Sequence, residues 1–60
     1  MADAHLYRVE ELNPFREWHH HGSAIEMEAA ISWAKSLSTQ LNRSVRVLDQ
    51  SDNVIAQFNC

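Results

Sequence analysis

The chain has 60 residues, with 5 lysines and arginines against 8 aspartates and glutamates, and its formal net charge is −3. Binding to a nucleic-acid backbone depends on clustered Lys and Arg, so direct nucleic-acid binding is not expected. A chain of this length buries only about 60% of its unfolded surface, so its stability should be marginal, and few residues are left over to build an active-site cleft. We predict a single small domain over residues 1–60, with a disordered start at residues 1–4.

No segment has the pattern of a membrane span or a targeting signal. A transmembrane helix needs about 20 apolar residues, and a secretory signal has a basic start before an apolar run. The first residues, Met1 to His5, have neither feature. Cys60 is the only cysteine, so its thiol is free, inert or a link between chains. The predicted location is the cytoplasm, with no membrane partner.

The first predicted strand covers residues 6–12. Tyr7 and Val9 alternate with polar neighbours, which indicates that these two side chains share one face. The opposite face carries Leu6, Arg8 and Glu10.

A turn and a shorter second strand follow. Asn13-Pro14 favours a turn because Pro14 has no amide hydrogen to donate, which predicts a loop over residues 13–17. The second strand is predicted around residues 18–23. Gly22 indicates either an edge strand or a bulge there.

Residues 25–42 have a helical pattern. Ser23 and Glu26 fit a capping box, which places the helix start near residue 24. Asn42 marks the stop, because asparagine tolerates the left-handed conformation that ends helices. Apolar and small residues recur at three- and four-residue intervals: Met27, Ala30, Ile31, Ala34, Leu37, Ser38 and Leu41.

The last third predicts a β-hairpin, with strands at residues 45–49 and 54–58 around a polar turn. A loop with an even number of residues pairs Leu48 with Ile55. That register places both side chains on the face that a single helix cannot cover. The face predicted against the helix carries Val45, Val47, Val54, Ala56 and Phe58.

Together the elements predict an α+β fold of ββαββ order, with one amphipathic helix packed on one face of a small antiparallel sheet. The open face would carry an apolar cluster of Leu6, Leu48 and Ile55. These side chains are either ordinary exposed residues or part of an interface with a partner or a second copy.

Trp18 and the acidic residues allow two interpretations each. Trp18 either plugs the end of the sheet beside Pro14 and Phe15 or presents an aromatic anchor to a partner. The acidic side chains are either a solvated surface or a face that meets a basic partner. The predicted partner-binding residues are Leu6, Glu10, Glu17, Trp18, Leu48 and Ile55.

Three consecutive histidines, residues 19–21, form the outstanding local motif. In a strand His19 and His21 project to the same side, and paired imidazoles can chelate zinc. His5 and Glu17 are the nearest further ligands, and the chain has no Cys-x-x-Cys or His-Glu-x-x-His pattern. Adjacent histidines also occur in ordinary loops. We expect no metal or other cofactor, with His5, His19 and His21 as the candidate ligands should a metal bind.

Catalysis finds little support in the sequence. Gly22 is the only glycine, which excludes a phosphate-binding glycine loop and a dinucleotide fingerprint. No serine, nor Cys60, has a recognisable base and orienting group nearby. We therefore do not expect an enzyme.

Residues 28–34, 45–49 and 53–58 resemble a pattern shared by many short phage and bacterial proteins. In size and composition the chain is similar to small phage-encoded inhibitors, including anti-CRISPR proteins. The resemblance implies a non-enzymatic inhibitor that binds and blocks a larger protein complex in the host cytoplasm, and it carries over no residue roles. Inhibitors that imitate DNA are usually more acidic than this chain. The alternatives are a metal-binding accessory domain and a structural homodimer.

Overall fold

The computed structural model describes residues 6–59. The predicted disordered start, His5 and Cys60 lie outside these residues. Along the described chain run β1 (Tyr7–Leu12), β2 (Trp18–Ala24), α1 (Met27–Leu41), β3 (Val45–Leu48) and β4 (Val54–Phe58). Within residues 6–59, no helix has the length and apolar character that crossing a bilayer requires.

The strands form one antiparallel sheet in the order β2-β1-β3-β4, and α1 packs on one face of it. The predicted α+β fold of ββαββ order is confirmed. Two hairpins, β1–β2 and β3–β4, are joined edge to edge because β1 pairs with β3. At this joint Val9 lies opposite Val47.

The core lies between α1 and the two central strands. Val9, Val45 and Val47 have no exposed surface, because β-branched side chains fit the pleated face of a sheet covered by a helix. Ala30 and Ala34 of α1 are equally buried and let the helix approach the sheet closely. Around this cluster pack partly buried side chains: Tyr7, Ala24, Ile31, Ile55, Ala56 and Phe58.

The helix starts later than predicted. Ser23 still belongs to β2, and the N-cap is Glu26, whose side chain makes no capping hydrogen bond. The predicted capping box is therefore wrong, because strand pairing with β1 holds Ser23 in an extended conformation. The predicted stop is confirmed, since Asn42 is the C-cap with φ 57° and ψ 40°, in the left-handed region.

The two hairpin loops, residues 13–17 and 49–53, have the same backbone architecture. The N–H of Asn13 donates to the Glu17 carbonyl at 2.9 Å, and the N–H of Asp49 donates to the Asn53 carbonyl at 2.9 Å. In each loop the first side chain, an amide or a carboxylate, accepts backbone N–H groups two and four positions later. Each loop also places its fourth residue in the left-handed region, which glycine normally fills.

The second loop should make folding stability depend on pH. The backbone N–H of Asn53 holds the pKa of Asp49 below its usual value, helped by the Ser51 N–H and the charge of Arg8. A folded-state pKa below the unfolded value stabilises the fold above about pH 4, and this contribution is lost as pH falls through the folded pKa. Asp49→Asn should unfold at lower urea concentration than the wild type at pH 7, with the difference shrinking below pH 4. A difference that stays constant at acid pH would contradict this prediction.

Both hairpins contain a β-bulge, and the bulge in β4 changes the predicted register. The predicted pairs from Val45–Phe58 to Val47–Ala56 are confirmed, but Leu48 pairs with Val54. The prediction that Leu48 lies opposite Ile55 is wrong, because the loop has five residues, closed by Asp49 and Asn53. Ile55 is the extra residue of the β4 bulge and has no partner on β3, and the predicted pairs resume at Ala56.

The bulge also exchanges the positions of two β4 side chains. Ile55 packs against the core on the helix side, so its predicted place on the open face is wrong. Val54, predicted against the helix, is 47% exposed. A bulge places two consecutive residues opposite one partner residue, so the alternation is broken at this point.

Candidate functional site

The face of the sheet opposite α1, called the open face, is not covered by the helix. On β1 and β3 its residues are those that alternate with the buried valines. On the edge strands β2 and β4 its residues are the cross-strand partners of these residues. The open face consists of Arg8, Glu10, Leu12, Trp18, His20, Ser23, Arg46, Leu48, Val54 and Gln57, with Leu6 just before β1.

Three side chains form a fixed array across β2, β1 and β3. The guanidinium carbon of Arg46 lies 4.3 Å from the ring centroid of Trp18. Glu10, between them on β1, accepts hydrogen bonds from Nε of Arg46 at 2.8 Å and from Nη2 at 2.7 Å. The carboxylate thus holds the cation over the aromatic ring, a favourable electrostatic contact. Trp18 thus lies on the open face, in contact with Arg46.

A depression of about 380 Å³ lies at the other end of the open face. Arg8 of β1 forms an ion pair there with Asp52 of the second loop. The amide of Gln50 donates to the Leu6 carbonyl at 3.4 Å. The loop therefore reaches over the sheet at this end. The lining residues are Leu6, Arg8, His20, Ser23, Gln50 and Asp52.

The apolar cluster does not form as predicted, because Ile55 lies on the helix side and Val54 takes its place opposite Leu48. Leu48 is on the open face but is only 5% exposed, so it has almost no surface to offer a partner. Leu6 lines the depression, and Ile55 lies on the helix side. Glu17 lies in the first loop, where its backbone N–H donates to Asn13.

The charges of the open face balance each other. Arg46 pairs with Glu10 and Arg8 pairs with Asp52, so the net charge of −3 resides elsewhere on the chain. Glu10 is therefore not a free acidic contact. The arginines were not predicted as site residues, although their alternation with the buried valines places them on this face.

The histidine run is divided between the two faces of the sheet. His20 lines the depression, whereas His21 lies in the β2 bulge. Nδ1 of His21 is 3.2 Å from Oε1 of Glu11, and its ring meets that of Trp33 edge-on with centroids 5.6 Å apart. The same Glu11 accepts a hydrogen bond from Arg43 at 2.9 Å.

No group of three or more His, Cys, Asp or Glu side chains within residues 6–59 is arranged to hold a metal ion. His19 and His21 therefore lack a third ligand there, and His5 lies outside the described residues. Comparison with known proteins finds no matching family model, no matching curated protein and no matching solved structure.

Proposed function

We propose that this chain is a non-enzymatic protein-interaction module that binds a larger protein through its open face. The observation that supports this most directly is the array in which Glu10 fixes Arg46 over Trp18. Tryptophan and arginine dominate the binding energy of many protein interfaces. Side chains held in place before binding lose less conformational entropy when they meet a partner.

The surface of the molecule is large enough for this role. Its solvent-accessible surface is 4193 Å². A standard interface takes roughly 800 Å² from each partner, which is about a fifth of that surface. A stable complex would therefore need a substantial part of one face of the molecule.

The charge pairing on the open face supports the non-enzymatic part of the proposal. Both carboxylates there, Glu10 and Asp52, are paired with arginines. A carboxylate already bound to an arginine must give up that contact before it can accept a proton from a substrate. The face is thus better suited to recognition than to proton transfer.

A photo-crosslinking experiment tests which surface meets the partner. A photoreactive amino acid at Ser23, exposed on the open face, should crosslink a larger protein in cells of the native source. The same amino acid at Thr39, exposed on the helix, should not. Equal crosslinking from both positions, or crosslinking from Thr39 alone, would refute the placement.

Removing the aromatic anchor should weaken the complex with the crosslinked protein. Trp18→Ala is expected to cost about 2 kcal/mol of binding free energy, or about a 30-fold increase in Kd. Trp33→Ala removes the same residue type from the helix side and should leave Kd unchanged. Calorimetry measures both values, and circular dichroism checks that each variant folds. Equal Kd values for wild type and a folded Trp18→Ala protein would contradict the proposal.

An inhibitory role of the anti-CRISPR kind is the specific form of this proposal, and the sequence resemblance supports it. An inhibitor that blocks a surface should lower the activity of the captured complex when added in excess. Trp18→Ala should restore that activity in proportion to its loss of affinity. Activity that does not change when the wild-type protein is bound would leave an interaction module without an inhibitory role.

A further inference from the structure

We propose that the depression on the open face binds an anionic side chain of the partner, a carboxylate or a phosphate group, with Arg8 as its principal ligand. This inference rests on the proposed function, because it names the chemistry that one part of the open face recognises. The anchor formed by Trp18 and Arg46 lies at the other end of that face. The two ends would contact different parts of the same partner.

Several hydrogen-bond donors line the depression without strong partners. Within residues 6–59, Arg8 pairs with Asp52 through Nη2. The side chains of His20 and Ser23 make no hydrogen bond to that part of the chain, and the Gln50 amide makes a long one of 3.4 Å. A guanidinium has five N–H donors in a planar fork that matches two oxygens of a carboxylate or phosphate. The depression therefore has more hydrogen-bond donors than the carboxylate of Asp52 can accept from.

Asp52 occupies the position that the anionic group of a ligand would take. Its side chain is 75% exposed, at the fourth position of the second loop. The loop architecture does not require a carboxylate there, because Arg16 fills the same position of the first loop with φ 67°, against 66° for Asp52. The carboxylate on Arg8 is thus a feature separate from the turn. An exposed side chain can rotate away when a stronger anion arrives.

The size of the depression suits a side chain rather than a whole cofactor. Its volume of about 380 Å³ lies at the lower end of the range of roughly 300–1,000 Å³ found for ligand sites. The chain as a whole has a charge of −3, which would repel an acidic partner at long range. The open face does not carry this excess negative charge, because its two arginines match its two carboxylates.

Anion binding can be measured on the isolated protein by nuclear magnetic resonance. The probes are inorganic phosphate, N-acetyl-glutamate amide and N-acetyl-phosphoserine amide, each titrated at constant ionic strength. We expect shifts of the Arg8 side-chain Nε–H signal and of the backbone amides of Ser23 and Gln50. The compound with the lower Kd identifies the partner group as a carboxylate or a phosphorylated side chain.

Two variants should change the affinity in opposite directions. Arg8→Gln should abolish the shifts, whereas Asp52→Asn should tighten binding about threefold or more, because the internal competitor loses its charge. Arg43→Gln removes an arginine from the helix-side pair with Glu11 and should leave the affinity unchanged.

Shifts that map outside the depression, no shifts with any probe, or equal or weaker binding by Asp52→Asn would each overturn the proposal. These outcomes are independent of the crosslinking from Ser23. A protein that crosslinks there but binds no anion would retain the proposed function and lose this inference.

Discussion

Leu37→Ala is expected to lower the free energy of unfolding by about 3 kcal/mol, because it removes a large apolar side chain from the core between α1 and the sheet and leaves a cavity. Leu37 is 7% exposed and belongs to the core with Ala34 and Val47. Domains of this length have roughly 3–9 kcal/mol of stability in total. The loss should lower Tm by about 15 °C, which thermal unfolding followed by circular dichroism would detect.

Leu41 supplies the matched control for this prediction. It ends the same helix one turn later and is 37% exposed, so less of its surface leaves water on folding. Leu41→Ala makes the same chemical change and should cost about 1 kcal/mol. Equal losses at the two positions would mean that helix propensity, rather than burial against the sheet, governs the stability of α1.

Gly22→Ala should destabilise the fold by about 1–2 kcal/mol, although alanine suits a strand better than glycine does. A β-carbon at Gly22 would overlap Cη2 of Trp33 and lie 3.1 Å from Cζ3. The φ angle of Gly22 is not positive, so its role is to leave space for the indole. Urea denaturation measures the cost, and a shift in tryptophan fluorescence should accompany it.

The double variant tests this explanation, because it predicts a change of sign. Once Trp33→Ala has removed the indole, the new methyl group meets no obstacle. Gly22→Ala should then stabilise the protein by about 0.5 kcal/mol, the usual gain when a flexible glycine is replaced. The coupling energy between the two positions would be about 2 kcal/mol. If Gly22→Ala still destabilises the Trp33→Ala protein, the cause lies in the backbone rather than in the indole.

The secondary structure could be predicted because its signals are local. Alternation of apolar residues indicated β1, β3 and β4 within a residue of their ends, and the three- and four-residue spacing indicated α1. The bulge at Ile55 could not be predicted, because it depends on whether Asp49 or a neighbour closes the loop. The two loops do share a signal for where a five-residue loop begins. Asn13 and Asp49 each have a short polar side chain that accepts two backbone N–H groups of the loop.

The candidate site was predicted only in part. Trp18 was named as a possible anchor, but the arginine that stacks on it was not. The sequence pattern assigns Arg46 to the open face, yet it does not show that this side chain reaches across β1 to β2. Contacts across three strands depend on the sheet order. The order β2-β1-β3-β4 is a long-range property that the sequence does not display.

The joint between the two hairpins has a consequence for the rate of folding. Both hairpins and α1 close through contacts between neighbours in the chain, which form within about microseconds. The pairing of β1 with β3 instead brings Val9 to Val47 across the whole helical segment. Non-local pairing of this kind lowers folding rates, because chain entropy is lost before the core is gained. We therefore expect the encounter of two preformed hairpins to limit the folding of this protein.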